Sequence, residues 1–174
     1  MKNFALTIFA FCLSFNLSVF AQIEHELSFT IKNFGVNVDG SFGASKVLGT
    51  LDLNNPQQTK LEATIDVKTI DTGNSTRDEH LKEAEYFDAV NFPEIRFRST
   101  ALAVVGLNNY QLSGILTIKG SSQEVAIPLE LETDGSQYLK GELSINRLDF
   151  GVGGRSLILS KTVVISLRLE VPKS

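Results

Sequence analysis

The 174-residue chain has one cysteine, two histidines, four prolines and no tryptophan. The cysteine is Cys12, inside an apolar N-terminal run, so the chain beyond that run has no thiol. Disulfides, cysteine nucleophiles and thiolate metal ligands are therefore excluded together. Charge is also sparse: 21% of residues are charged, the formal net charge is −4, and no run of five or six like charges occurs. Nucleic-acid binders carry a basic excess, so nucleic acid is not an expected partner. Apolar residues, by contrast, make up 43% of the chain. A chain of this size buries about 68–70% of the surface its unfolded form exposes, enough to fold without a metal or cross-link.

Met1 to Ala21 reads as a cleavable secretory signal peptide. Lys2 supplies the charged start, Phe4 to Phe15 the apolar stretch, and Ala21 the small residue at the end. The apolar stretch is 12 residues long before Asn16, whereas a membrane helix needs about 20. The mature chain is then Gln22 to Ser174, with 15 basic and 20 acidic residues and no transmembrane segment. An exported, mildly acidic domain is expected.

From Gln22 onward the pattern alternates with a period of two. Ile23, His25, Leu27, Phe29 and Ile31 share one face, and Glu24, Glu26, Ser28 and Thr30 the other. Phe34, Val36, Val38 and Phe42 continue the apolar face after a one-residue slip, which predicts a bend or bulge near Asn33. Leu51 and Leu53, then Leu61, Ala63, Ile65 and Val67, extend it around the turn Asn54-Asn55-Pro56. Five further strands are expected at 95–104, 110–118, 125–131, 138–145 and 163–171, separated by turn sequences around Gly106, Gly120 and Gly135. Eight or nine half-exposed antiparallel strands must close over one core, as a barrel or a two-sheet sandwich. Pro128 cannot donate to a ladder and marks an edge or bulge; an uncovered edge there would permit a homodimer.

One segment departs from this pattern. Ser75 as N-cap, Asp78 and Glu79 in the first turn, and Leu81, Ala84 and Phe87 as an apolar face predict a short helix over about 75–88. Asn91-Phe92-Pro93 ends it. One domain, 22–174, is expected.

Chemistry-bearing constellations are few. His25 lies on the apolar face, either as a hydrogen-bonded interior residue or as one orienting a polar headgroup. Arg77, Asp78 and His80 are better placed to buttress the helix than to catalyse, since positions two apart do not face each other on a helix. No ligand spacing suits zinc, and Asp71-Thr72-Gly73-Asn74 lacks the later ligands of a calcium loop. No Gly-x-Ser-x-Gly elbow exists, and Gly151-Val152-Gly153-Gly154 lacks the strand and helix of a dinucleotide site. No catalytic residue, metal site or cofactor is expected. What remains is the apolar face, with Phe29, Phe34, Phe42, Phe87, Phe92, Phe97 and Phe150 among its aromatics. An eight-stranded barrel is either filled by such side chains or holds one small ligand.

Several stretches resemble the YceI-like family. They are Thr69-Ile70-Asp71-Thr72-Gly73, Arg77-Asp78-Glu79-His80-Leu81, Tyr86-Phe87-Asp88 and the run from Phe92 to Thr100. Leu112 to Gly120 and Ile145 to Gly151 are similar to its later motifs. The likeness implies an all-β, single antiparallel eight-stranded lipocalin-like barrel, periplasmic, enclosing an apolar tunnel for a polyisoprenoid or fatty-chain amphiphile. Two places depart from the family's pattern: Lys32-Asn33 stands where a Lys-His or Arg-His pair is usual, and Ser160-Lys161 where a Gly-Asp turn is usual. Strand parity then points His25, Leu27, Phe29, Ile65, Phe97, Tyr110, Leu112 and Ile127 inward, as the candidate lipid contacts. Arg96 and Arg98 face outward. The competing expectation is a plugged barrel acting in stress response or protein interaction without a lipid.

Overall fold

The computed structural model describes residues 21–172. The segment read as a signal peptide lies outside them, apart from Ala21. Eleven strand segments occur: β1 (Ala21–Gln22), β2 (His25–Asn33), β3 (Val36–Phe42), β4 (Ser45–Thr50), β5 (Lys60–Asp66), β6 (Ile70–Asp71), β7 (Glu94–Gly106), β8 (Asn109–Ile118), β9 (Ser121–Asp134), β10 (Ser136–Asn146) and β11 (Leu159–Glu170). One α-helix is present among the described residues, α1 (Ser75–Lys82).

All strand pairs are antiparallel, in the order β1-β4-β5-β7-β8-β9-β10-β11-β2-β3-β6. Strands β1 and β2 are one run of chain interrupted at Ile23–Glu24, and β3 and β4 one run interrupted at Gly43–Ala44. The β1–β4 and β2–β3 ladders, at opposite ends of that order, are therefore two halves of one long bent hairpin. Ile23 N donates to Val47 O at 2.8 Å and joins them. Counted as runs of chain, eight strands form the wall of a lipocalin-like barrel, with β6 a two-residue extension beside β3.

The expected slip near Asn33 is a hairpin instead. β2 and β3 pair from Ser28↔Ser41 to Asn33↔Val36, and the two-residue turn between them is Phe34-Gly35, with φ of 52° and 77°. Both left-handed values fit the mirror-type turn that matches strand twist. A phenylalanine in that position is no turn signal, so alternation simply reads through it. Phe34 and Val36 consequently project beyond the wall, 72% and 66% exposed, rather than joining the core. The expected Leu51–Leu53 strand is a bend after β4, although Leu51 is buried.

The helix is shorter than expected and begins one residue earlier in its capping. Asn74 rather than Ser75 is the N-cap, its side chain accepting from Arg77 N at 3.0 Å. Residues 83–88 leave the helix as tight turns, fixed by Asp88 N to Glu83 O and Phe87 N to Leu81 O.

Pro128 sits where β9 parts from β10: the ladder between them ends at Leu129↔Gly141, while pairing with β8 runs through Gln111↔Pro128. Beyond that point the wall opens. The 3₁₀ turn Arg147–Phe150 fills the gap with the buried ring of Phe150. Two apolar clusters result, one around Leu102, Leu112, Leu129 and Leu139, the other around Ile95, Ile118, Phe150 and Val152.

Candidate functional site

Two cavities occupy the barrel interior. The outer one, about 490 Å³, lies between β2, β3, α1, the 83–88 turn and the 154–159 loop. The inner one, about 130 Å³, runs between β2, β4, β5, β7, β8, β9, β10 and β11. Phe29, Phe42, Ile95, Ile118 and Ile165 line both, so the cavities meet at a shared neck. The rings of Phe29 and Phe42 stand 5.6 Å apart and tilted, and Phe42 meets Phe87 edge-on at 6.3 Å. These contacts carry an aromatic ridge from the wall to the 83–88 turn.

Strand parity explains the inner lining. Leu27 on β2, Ile65 on β5, Phe97 on β7, Leu112 on β8 and Ile127 on β9 all point to it, with His25 at its edge. Phe29 lines both cavities. Tyr110 lines neither: it is the second residue of β8, beside the tight turn after Gly106, and packs into the cluster that seals the far end. Parity along a strand does not give height along the barrel.

His25 is held by two bonds. The Ile23 carbonyl, 3.0 Å from Nδ1, can only accept, so Nδ1 carries the hydrogen. In the neutral ring Nε2 then accepts from the Ser45 hydroxyl at 2.8 Å. Both ring nitrogens have partners within the wall, which fits the interior reading of this residue.

The outer cavity holds most of what the sequence did not disclose. Ile31, Val38, Leu81, Tyr86 and Phe87 give it apolar walls; Arg77, His80, Arg147 and Arg155 line it against one carboxylate residue, Glu85. Arg77 is braced: Nε donates to Thr72 Oγ1 and Nη2 to Thr72 O, each at 2.7 Å. Thr72 Oγ1 in turn donates to the buried Asp78 at 2.6 Å. The Arg77 and Asp78 buttress expected from the sequence is thus present. His80 stands 3.6 Å from Glu83 and packs edge-on to Tyr86.

Arg147 is 4% exposed. Its guanidinium donates to carbonyls of Val152 (2.7 Å), Gly154 (2.9 Å) and Ser160 (2.9 Å), and among the described residues it has no carboxylate partner. A buried charge is tolerable only when its donors are satisfied, and here the backbone supplies the acceptors. Burial pulls its pKa below the ordinary arginine value, while nearby Tyr86 acts in the opposite direction. Arg147 fastens the 152–160 segment over the barrel mouth. Its place after a strand in Asn146-Arg147-Leu148-Asp149 carries no sign of burial, so periodicity missed it.

Among the described residues no group of three or more His, Cys, Asp or Glu is placed to hold a metal ion, and no helix is long and apolar enough to cross a membrane.

Comparison with known proteins fits this architecture. A UPF0312 protein of Photorhabdus laumondii is 35% identical over 106 residues, covering 61% of this chain and 49% of its own length. The chain thus aligns with about half the length of that curated relative. The crystal structure of Burkholderia cenocepacia BcnA superposes with a TM-score of 0.79 at 29% identity, covering 85% of this chain and 96% of that one. A Saccharophagus degradans domain, described as a polyisoprenoid binding domain implicated in plant cell wall breakdown, superposes with a TM-score of 0.67 at 16% identity, covering 87% and 98%. That last likeness speaks for the fold alone. The sequence model of the YceI-like domain matches residues 20–171, and the chain belongs to the YceI-like family.

Proposed function

We propose that this protein binds a long-chain apolar lipid, a polyisoprenoid or fatty-chain amphiphile, and serves as a periplasmic carrier, store or scavenger by binding rather than by catalysis. The observation that carries this reading is the two-part cavity. Its inner part is walled by Leu, Ile and Phe, and its outer part brings cations to the mouth. A hydrocarbon tail needs no hydrogen bonds, so a wall of this kind suffices for it. Each 100 Å² of apolar chain removed from water contributes about 2.5 kcal/mol. The polar end would stay in the outer cavity, within reach of Arg77, His80 and Arg155. Support also comes from the family and from the described binding of the Saccharophagus domain. The interior is not filled by its aromatics, which weighs against the plugged-barrel alternative.

The test is titration of the purified mature protein with a hydrophobic fluorophore, followed by displacement with a long-chain lipid. Stoichiometric uptake and displacement are expected. Failure of both would sink the reading in favour of a partner-binding barrel. Native mass spectrometry of protein released gently from the periplasm should show a discrete added mass in the lipid range.

A further inference from the structure

The rim of the outer cavity carries apolar side chains that the fold does not use. Phe34 is 72% exposed, Val36 66%, Leu157 fully exposed and Ile158 46%. They form one edge, because Phe34 N donates to Ile158 O at 2.8 Å and Asn33 pairs with Leu159. The 156–159 loop is closed on itself: the amides of Ile158 and Leu159 both donate to Ser156 Oγ, at 3.1 and 3.0 Å. Leu157 stands at the tip of that turn, fully exposed. Phe34 holds a left-handed backbone, φ 52°, where Asn or Gly would serve the turn with less strain.

Charge in the groove beside the edge is of one sign. The surface groove beside it is lined by Lys32, Arg147, Arg155 and Lys161 and by no acidic residue, although the whole chain carries a net charge of −4. Among the described residues Lys32, Arg155 and Lys161 make no ion pair, while arginines elsewhere on the wall do, as in Arg98 with Glu62. Lys161 stands in the irregular stretch where β11 slips against β2 between Leu159 and Val163.

We propose that this rim is a docking surface for an anionic phospholipid bilayer. Phe34, Val36, Leu157 and Ile158 enter the interface, and Lys32, Arg155 and Lys161 meet the headgroups, the arrangement by which amphipathic surfaces hold anionic membranes. Ile158 also lines the outer cavity, so docking sets the mouth against the bilayer. A tail then passes between membrane and barrel with little exposure to water. That purpose rests on the lipid-binding reading; the docking itself does not.

The test is co-sedimentation of the mature protein with vesicles of phosphatidylethanolamine and phosphatidylglycerol, and with vesicles of phosphatidylcholine alone. Association with the anionic vesicles, reversed by salt, is expected. Lys161→Gln should weaken it about fivefold. The pair Phe34→Asn and Leu157→Ser should weaken it at least about tenfold; both sites are exposed and Asn suits the left-handed turn, so the fold is retained. No association, equal association with neutral vesicles, or unaltered association of the variants would overturn docking. So would a concentration-dependent dimer that these substitutions abolish, since the rim would then serve a second copy of the chain. Fluorophore displacement in the same samples separates the two readings: retained uptake without vesicle association defeats docking alone, and loss of both defeats both.

Discussion

His25 and Ser45 are joined at 2.8 Å across the bent hairpin, where the β1–β2 run crosses the β3–β4 run. Neither residue is in the paired registers of β2–β3 or β1–β4, so their bond spans the gap between two ladders. Loss of a single bond of this type costs about 1 kcal/mol. Ser45→Ala should lower stability by about that much in urea denaturation, and His25→Ala by more, because it also removes the bond to Ile23 O. The double variant should cost less than the two together, because each removes the same bond. Additive losses would show that the pair is not coupled.

Gly40 lies opposite Phe29 in the β2–β3 ladder, and the Phe29 ring rests on its bare Cα. A methyl group there would collide with the ring edge. Phe29 belongs to the neck shared by the two cavities, so Gly40→Ala moves the ring within the neck. Overpacking of this kind costs about 1–3 kcal/mol. Fluorophore uptake should fall while the far-ultraviolet β signature persists. Uptake equal to wild type would mean that the neck does not gate the interior.

Lys119 Nζ donates to Ala84 O (2.7 Å), Gly151 O (3.0 Å) and Glu85 O (3.2 Å). Gly153 N adds a bond to Glu85 O at 3.0 Å. One ammonium thus ties the 83–88 turn to the segment after Phe150, and both border the outer cavity. Lys119→Met should speed amide exchange at Gly153 and across residues 84–88, with exchange in β8 unchanged. Uniform acceleration would indicate global destabilisation; no acceleration would mean the lysine does not hold the mouth.

The wall of the barrel was legible in the sequence and much of the mouth was not, for one physical reason. Along β2, β5, β7, β8 and β9 a side chain's direction follows from parity alone, so Leu27, Ile65, Phe97, Leu112 and Ile127 could be placed inward. Parity does not give height along the barrel, and Tyr110 therefore fell into the sealed end. Around the mouth, position depends on turns and on side-chain-to-backbone bonds between distant segments. Arg147 reaching Ser160 and Lys119 reaching Ala84 leave no periodic trace. Phe34 was misread because a left-handed phenylalanine mimics an unbroken strand.

Ala63 offers the sharpest test of how far a tail penetrates. It lies on β5 between Val47 on β4 and Phe97 on β7, half-buried against the inner cavity. A leucine at 63 would project into that 130 Å³ space and take the volume of the tail's last carbons. Each CH₂ kept out of an apolar environment costs about 0.8 kcal/mol, so excluding two of them weakens binding about tenfold. Ala63→Leu should therefore weaken a long-chain fatty acid by roughly that factor in displacement titrations. A shorter chain that fills only the outer cavity should bind as before. Equal weakening of both would point to a distorted wall. Full affinity for both would place the entire ligand in the outer cavity, leaving the inner one as packing space.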